Sequence, residues 1–145
     1  MRHASLSALL PCPIARSLEI VGEWWTLLIV RDALVGARRF DDFKATGIAD
    51  NILTTRLKKL VAAGILKRQP YQKHPIRYEY VLTDKGRSLA PVVLALRAWG
   101  NRWTKGPDLT AVTHATCGHD IGIGFHCAHC ARDVPGTEVR PARIA

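Results

Sequence analysis

A chain of 145 residues with 21 Lys and Arg against 12 Asp and Glu, formal charge +9, has room for one domain with a small appendage. That charge suits a polyanionic partner. No stretch reaches transmembrane length without a charge, the Trp24–Val30 run being too short. Met1 to Leu10 lacks the apolar core and cleavage site of a secretory signal, so the chain is expected in the cytoplasm, with no membrane partner.

Residues 1–11 read as a flexible arm. Cys12-Pro13 opens a helix with proline at a favoured first position, and Ile14, Leu18 and Val21 give that helix an apolar stripe. Gly22 interrupts the pattern. A second helix from Glu23 to Leu34 is apolar nearly all round, which predicts burial on most sides, and Gly36 ends it. Arg38 to Lys44 predicts a short helix anchored by Phe40 and Phe43, followed by a tight turn containing Gly47.

Asp50 to Gly64 is the most fully punctuated stretch. Asp50 is expected to be the N-cap, its carboxylate accepting from the free amides of the first turn, and Gly64 the stop. Leu53, Leu57 and Leu60 fall on one face, flanked by Ile52 and Val61. The opposite face carries Asn51, Thr55 and Lys58, with Thr54 and Lys59 beside it, and no acid follows Asp50. Amides, hydroxyls and amines without carboxylates are what a helix in a DNA major groove requires. Short helix, glycine turn and second helix form a helix-turn-helix pattern.

After Gly64 the period changes from helix to strand. Ile65–Tyr71 and Arg77–Leu82 read as two strands, joined by the polar turn Gln72 to Ile76. Such a hairpin is the wing of a winged helix, and its tip places Lys73, His74 and Arg77 for phosphate or minor-groove contact. From Gly36 to Arg87 twelve cations stand against five anions, so most of the charge excess lies in this block, which includes Arg38 and Arg39. Thr83 to Gly86 caps a last helix expected to run to Trp103, with Pro91 inside it as a kink. Its stripe of Leu89, Val92, Val93, Leu96, Trp99 and Trp103 exceeds what a small winged domain needs for its own core. That surplus predicts a homodimer, which would also offer two recognition helices to two half-sites.

The motifs from Cys12 to Trp103 resemble those of the HxlR family of winged helix-turn-helix regulators, which are similar to the MarR group. The resemblance rests on Cys12-Pro13, on Gly22-Glu23-Trp24-Trp25-Thr26-Leu27-Leu28-Ile29-Val30-Arg31-Asp32 and on Gly36 through Phe40. It continues in Leu53 to Leu60 with Gly64-Ile65-Leu66, in Tyr78 to Thr83 with Lys85-Gly86, and in Trp99-Gly100. Glu23 departs from the family's usual lysine. The resemblance implies a mainly α (α+β) fold: a winged helix-turn-helix over residues 12–106, with N- and C-terminal dimerisation helices. It implies a dimer that binds a double-stranded DNA operator and represses or activates nearby genes, released by a redox, electrophile or small-molecule signal. Cys12 is the candidate sensor. A thiol at a helix N-terminus has its thiolate favoured, Arg16 lies one turn on, and some similar regulators sense through this position.

From Gly106-Pro107-Asp108 the composition shifts, and residues 107–145 read as a Cys/His tail. Four cysteines, with Cys12 alone and Cys117, Cys127 and Cys130 clustered, suit metal binding better than disulfides in a reducing compartment. His114, Cys117, Cys127 and Cys130 have zinc-ribbon spacing, so a structural zinc is the candidate cofactor, with His119, His126 and His129 as alternative ligands. A metal-free hairpin of Ile121, Ile123 and Phe125 packed on the domain is the competing reading, and Pro135 to Ala145 is expected to be disordered. Cys127-Ala128-His129-Cys130 could serve a redox enzyme. It lacks the strand before and helix after that such a site needs, and no acid/base constellation appears elsewhere, so no catalytic residue is assigned. The rival to DNA recognition is a winged helix that binds RNA or protein.

Overall fold

The computed structural model describes residues 12–108 and 111–140; the arm expected over residues 1–11 and the last five residues of the tail lie outside them. The chain divides into two compact units, residues 1–93 and 94–145.

The first unit begins with α1 (Pro13–Val21), which starts at its proline, followed by α2 (Trp24–Leu34), α3 (Phe40–Lys44) and α4 (Asp50–Ala62). An antiparallel hairpin of β1 (Leu66–Lys73) and β2 (Ile76–Leu82) comes next, then the single turn α5 (Asp84–Arg87) and the start of α6 (Ala90–Trp103). The core is made where the periodicity placed it: Leu53, Leu57 and Leu60 of α4 are buried with Ile29 and Val30 of α2, Phe43 of α3, Ile65 just before the hairpin, and Leu66 and Leu82 within it. The α1 stripe divides. Val21 is buried beside Ala15 of the adjoining face, whereas Ile14 and Leu18 stay exposed. α2 is less enclosed than its composition suggested, since Trp24 at its start and Val35 just beyond its end are exposed.

Three boundaries differ from the sequence reading. The N-cap of α4 is Ala49, and Asp50 is already helical, its carboxylate 3.0 Å from Lys44 Nζ at the end of α3. The acid therefore serves the helix as a first-turn charge instead of as a hydrogen-bonding cap. The wing turn is only His74-Pro75, because the strands run on to pair Lys73 with Ile76; a bulge between Pro70 and Gln72 absorbs the proline, which has no N–H for the ladder. Finally, the last helix is two helices. Thr83 caps α5, its hydroxyl oxygen accepting from Gly86 N–H at 3.1 Å, and the chain breaks before Pro91, which sits in the first turn of α6 rather than in a kinked interior.

Gly64 (φ +70°) ends α4 as expected: its N–H reaches Val61 O at 3.0 Å and Ile65 N–H reaches Leu60 O at 2.9 Å, closing the helix and turning the chain into β1. A different demand falls on Gly86, where an added Cβ would lie 2.2 Å from Ile65 O. The Thr83 hydroxyl donates to Gly64 O at 2.6 Å, so the start of α5 is bonded to the end of α4. The wing is tied back in turn, with Tyr80 N–H donating to Arg38 O at 2.7 Å.

The second unit holds the remainder of α6 and the tail. Arg97 and Asn101 of α6 both bond Asp108. Thr113 and Asp120 form an isolated bridge, and β3 (Phe125–Cys127) pairs antiparallel with β4 (Arg132–Val134). Gly136–Glu138 makes one 3-10 turn, with Glu138 bonded to Arg132 at 3.2 Å, where composition had suggested a structureless end. Ile121, Ile123 and Phe125 are exposed.

Candidate nucleic-acid interface

The outer face of α4 is set by the burial of its inner face. With Leu53, Leu57 and Leu60 fixed in the core, helical geometry turns Asn51, Thr54, Thr55, Lys58 and Lys59 outward, and all five are exposed. The two hydroxyls are already committed as donors, Thr54 to Asp50 O at 2.7 Å and Thr55 to Asn51 O at 2.9 Å. Their free lone pairs and methyls are what they present outward, which suits an exocyclic amine or a thymine methyl.

Lys73, His74 and Arg77 are exposed at the wing tip, and Arg38 and Arg39 at the start of α3. The backbone N–H groups of Arg38 and Arg39 donate to Asp42 Oδ2 at 2.9 and 2.8 Å. These bonds, Arg39's first, hold the Asp42 carboxyl below its ordinary value. Three of the other four anions of this block are similarly engaged, Asp41 being exposed at the first turn of α3. Asp50 pairs with Lys44, Asp84 with Arg87 at 2.7 Å, and Glu79 accepts from Gln69 at 2.6 Å. With four of five carboxylates partnered and the cations exposed and in excess, the surface attracts phosphate.

Two cation–ring contacts escaped the sequence reading. Arg68 lies with its guanidinium 3.5 Å from the centre of the Tyr78 ring, and Arg39 lies 4.5 Å from that of Tyr71. The signal for the first was in the register: Arg68 faces Tyr80 across the ladder, so Tyr78 is its diagonal neighbour on the same face. Arg56, a cation on α4 not assigned to DNA, points inward to Glu23.

Cys12 is the half-buried N-cap residue of α1, a free thiol whose backbone oxygen accepts from Arg16 N–H at 3.1 Å. In the α6 stripe Leu89 and Val93 pack against the core, whereas Val92, Leu96, Trp99 and Trp103 are exposed.

The tail brings its candidate ligands into two pairs. His114 Nδ1 lies 3.2 Å from Cys117 Sγ. The backbone N–H of Cys130, the Cys130 thiol and the His129 N–H converge on Cys127 and hold its thiol below the usual cysteine value. Among the described residues, however, no group of three or more His, Cys, Asp or Glu side chains is placed to hold an ion. The four-donor shell expected from the spacing is thus not assembled, and His126 is occupied by Asp133 at 2.9 Å across the β3–β4 ladder.

No helix among the described residues is long and apolar enough to cross a membrane. The family model for the HxlR-like helix-turn-helix matches residues 20–108. The chain is 38% identical over 131 residues to an uncharacterised HTH-type transcriptional regulator of Mycobacterium tuberculosis, Rv3095, covering 88% of this chain and 83% of the relative. The solved structure of PA1607, a candidate transcription factor, superposes with TM-score 0.78 at 34% identity, covering 95% of this chain and 99% of that one. The redox regulator HypR in its oxidised form gives TM-score 0.60 at 33% identity, over 66% of this chain and 100% of its own. With a matching family model, an exposed α4 face and a basic wing, the chain belongs to the HxlR-like helix-turn-helix family of DNA-binding transcriptional regulators and is not an enzyme.

Proposed function

We propose that the protein is a homodimeric, sequence-specific repressor whose paired α4 helices enter successive major grooves of one operator, and that an oxidant or electrophile releases it through Cys12. The observation that carries the reading is the outer face of α4, where Asn51, Thr54, Thr55, Lys58 and Lys59 are all exposed while the nearest carboxylate, Asp50, is paired with Lys44. Small polar groups in the first turns read base edges, and the lysines beyond them bind phosphate. Dimerisation is supported by the α6 surface, since Trp99 and Trp103 are 62% and 65% exposed and lie one turn apart. Two subunits would set two α4 helices roughly 34 Å apart, the spacing of consecutive half-sites.

The likeness to a redox regulator and the free thiol at the start of α1 support Cys12 as the place where the signal enters. The test is a mobility shift with duplex DNA from upstream of the protein's own gene, beside single-stranded RNA of equal length and with and without diamide. Preferential duplex binding, lost on oxidation in the wild type but retained in Cys12→Ser, is expected. Preference for RNA overturns the DNA assignment, and identical responses of the two proteins to diamide overturn the sensor.

A further inference from the structure

Arg56 is the one basic side chain of α4 that turns away from the outer face. Its Nε lies 3.0 Å from Glu23 Oε2, and the two side chains are only 21% and 31% exposed. The two contacting atoms are shut off from solvent, and neither makes a directed hydrogen bond, so the contact is held by charge with the N–H axis misaligned. Replacing either partner would leave the other as a partly buried charge without compensation.

Glu23 stands at a corner. It is the N-cap residue of α2, and Thr26 N–H donates to its backbone oxygen at 2.9 Å. Before it, Gly22 N–H donates to Leu18 O at 2.7 Å, and a Cβ on Gly22 would lie 2.3 Å from that same oxygen. The α1–α2 corner therefore has little freedom, and a group attached to it makes a firm anchor. Leucine contacts hold α4 against the core but are non-directional and tolerate small rotations about the helix axis. A charge pair on the flank of the helix resists those rotations.

We propose that the Glu23–Arg56 pair is a positioning device for DNA recognition: Glu23 fixes the azimuth of α4, and with it the aim of Asn51 and Thr55, while keeping Arg56 off the phosphate backbone. Glu23 then determines specificity without touching DNA. Because it joins the α1–α2 corner to the recognition helix, the pair also carries any displacement of that corner into α4. This rests on the DNA-binding reading above.

The test compares wild type, Glu23→Gln, Arg56→Gln and the charge swap Glu23→Arg/Arg56→Glu on the upstream duplex and on a random duplex of equal length, across a salt series. Glu23→Gln is expected to lower the upstream-to-random affinity ratio about tenfold, the scale of a lost partner in a partly buried pair. Its salt slope on random DNA should steepen by about one phosphate contact as Arg56 is released. The charge swap should restore the ratio without steepening the slope, because residue 56 is then acidic. A ratio within about twofold of wild type in Glu23→Gln, or equal losses on both duplexes, overturns the proposal, since tenfold corresponds to a single broken pair. A urea-unfolding double-mutant cycle on Glu23→Gln and Arg56→Gln judges the pair without DNA, and additive effects there also overturn it. If the wild type binds neither duplex, the DNA-binding reading fails, while the cycle still reports whether the pair couples.

Discussion

Asn51, Thr55 and Lys58 share the exposed face of α4, yet their chemistry separates them. Asn51 carries both a donor and an acceptor at its tip, which permits a bidentate contact with adenine. Asn51→Ala should reduce discrimination between operator and random duplex by ~1–3 kcal/mol. Lys58→Ala should instead weaken both alike and lower the salt slope by about one. Equilibrium titrations over a salt series separate the two, and an Asn51→Ala variant with wild-type discrimination would remove it from the base-reading set. Thr55, its hydroxyl proton given to Asn51 O, can act toward a base only as an acceptor or through its methyl. Asp42 supports the fold instead of the contact. Its carboxyl is held below its usual value by the Arg39 and Arg38 amides, so the ionised form is the one that stabilises the native state. That stabilisation is complete above the unfolded-state value of about 3.9 and disappears as pH falls through the lower folded value. Asp42→Asn should therefore flatten the acid limb of the stability curve below about pH 4. Thermal melts of the two proteins between neutral and acid pH check this.

Among the elements, the link from α4 to the wing and on to α5 depends on close backbone approach. Gly86 has no room for a methyl against Ile65 O, and Thr83 bonds Gly64 O from the same segment. Gly86→Ala should cost on the order of 1–3 kcal/mol, the scale of an overpacked site, measured as a lower urea midpoint. An unchanged midpoint would mean that the α5 turn yields without resistance. The strands themselves were legible: Arg77-Tyr78-Glu79-Tyr80-Val81-Leu82 lies within β2 as formed, although burial rises steadily toward Leu82 instead of alternating. The turn was read too long, because a polar stretch such as Gln72 to Ile76 does not reveal that its outer residues continue the ladder.

At the level of the whole molecule, α6 carries the proposed dimerisation. Val92, Leu96, Trp99 and Trp103 expose a large apolar area, and such a surface is costly in water unless covered. Replacing Leu96 and Trp99 together by glutamate should yield monomers by light scattering and reduce operator affinity at least tenfold, since each subunit then engages a half-site without its partner. A folded double variant with the assembly state and operator affinity of the wild type would overturn the proposed role of α6.

What the sequence determined by itself was whatever depends on neighbours a few residues away. The spacing of Leu53, Leu57 and Leu60 defined the inner face of α4 and hence its outer one; Gly64 stopped the helix; the basic wing followed from two strand-like runs around a proline turn. These follow from helical and strand periods, which are properties of local chain geometry. What only the tertiary structure decided was which distant groups meet. Folding brings Asp50 to Lys44 of another helix and takes Leu89 and Val93 out of their stripe into the core. Glu23 meets Arg56 for the same reason. Attraction between charges falls with distance in space and takes no account of distance along the chain, so a pair of this kind has no periodicity to announce it.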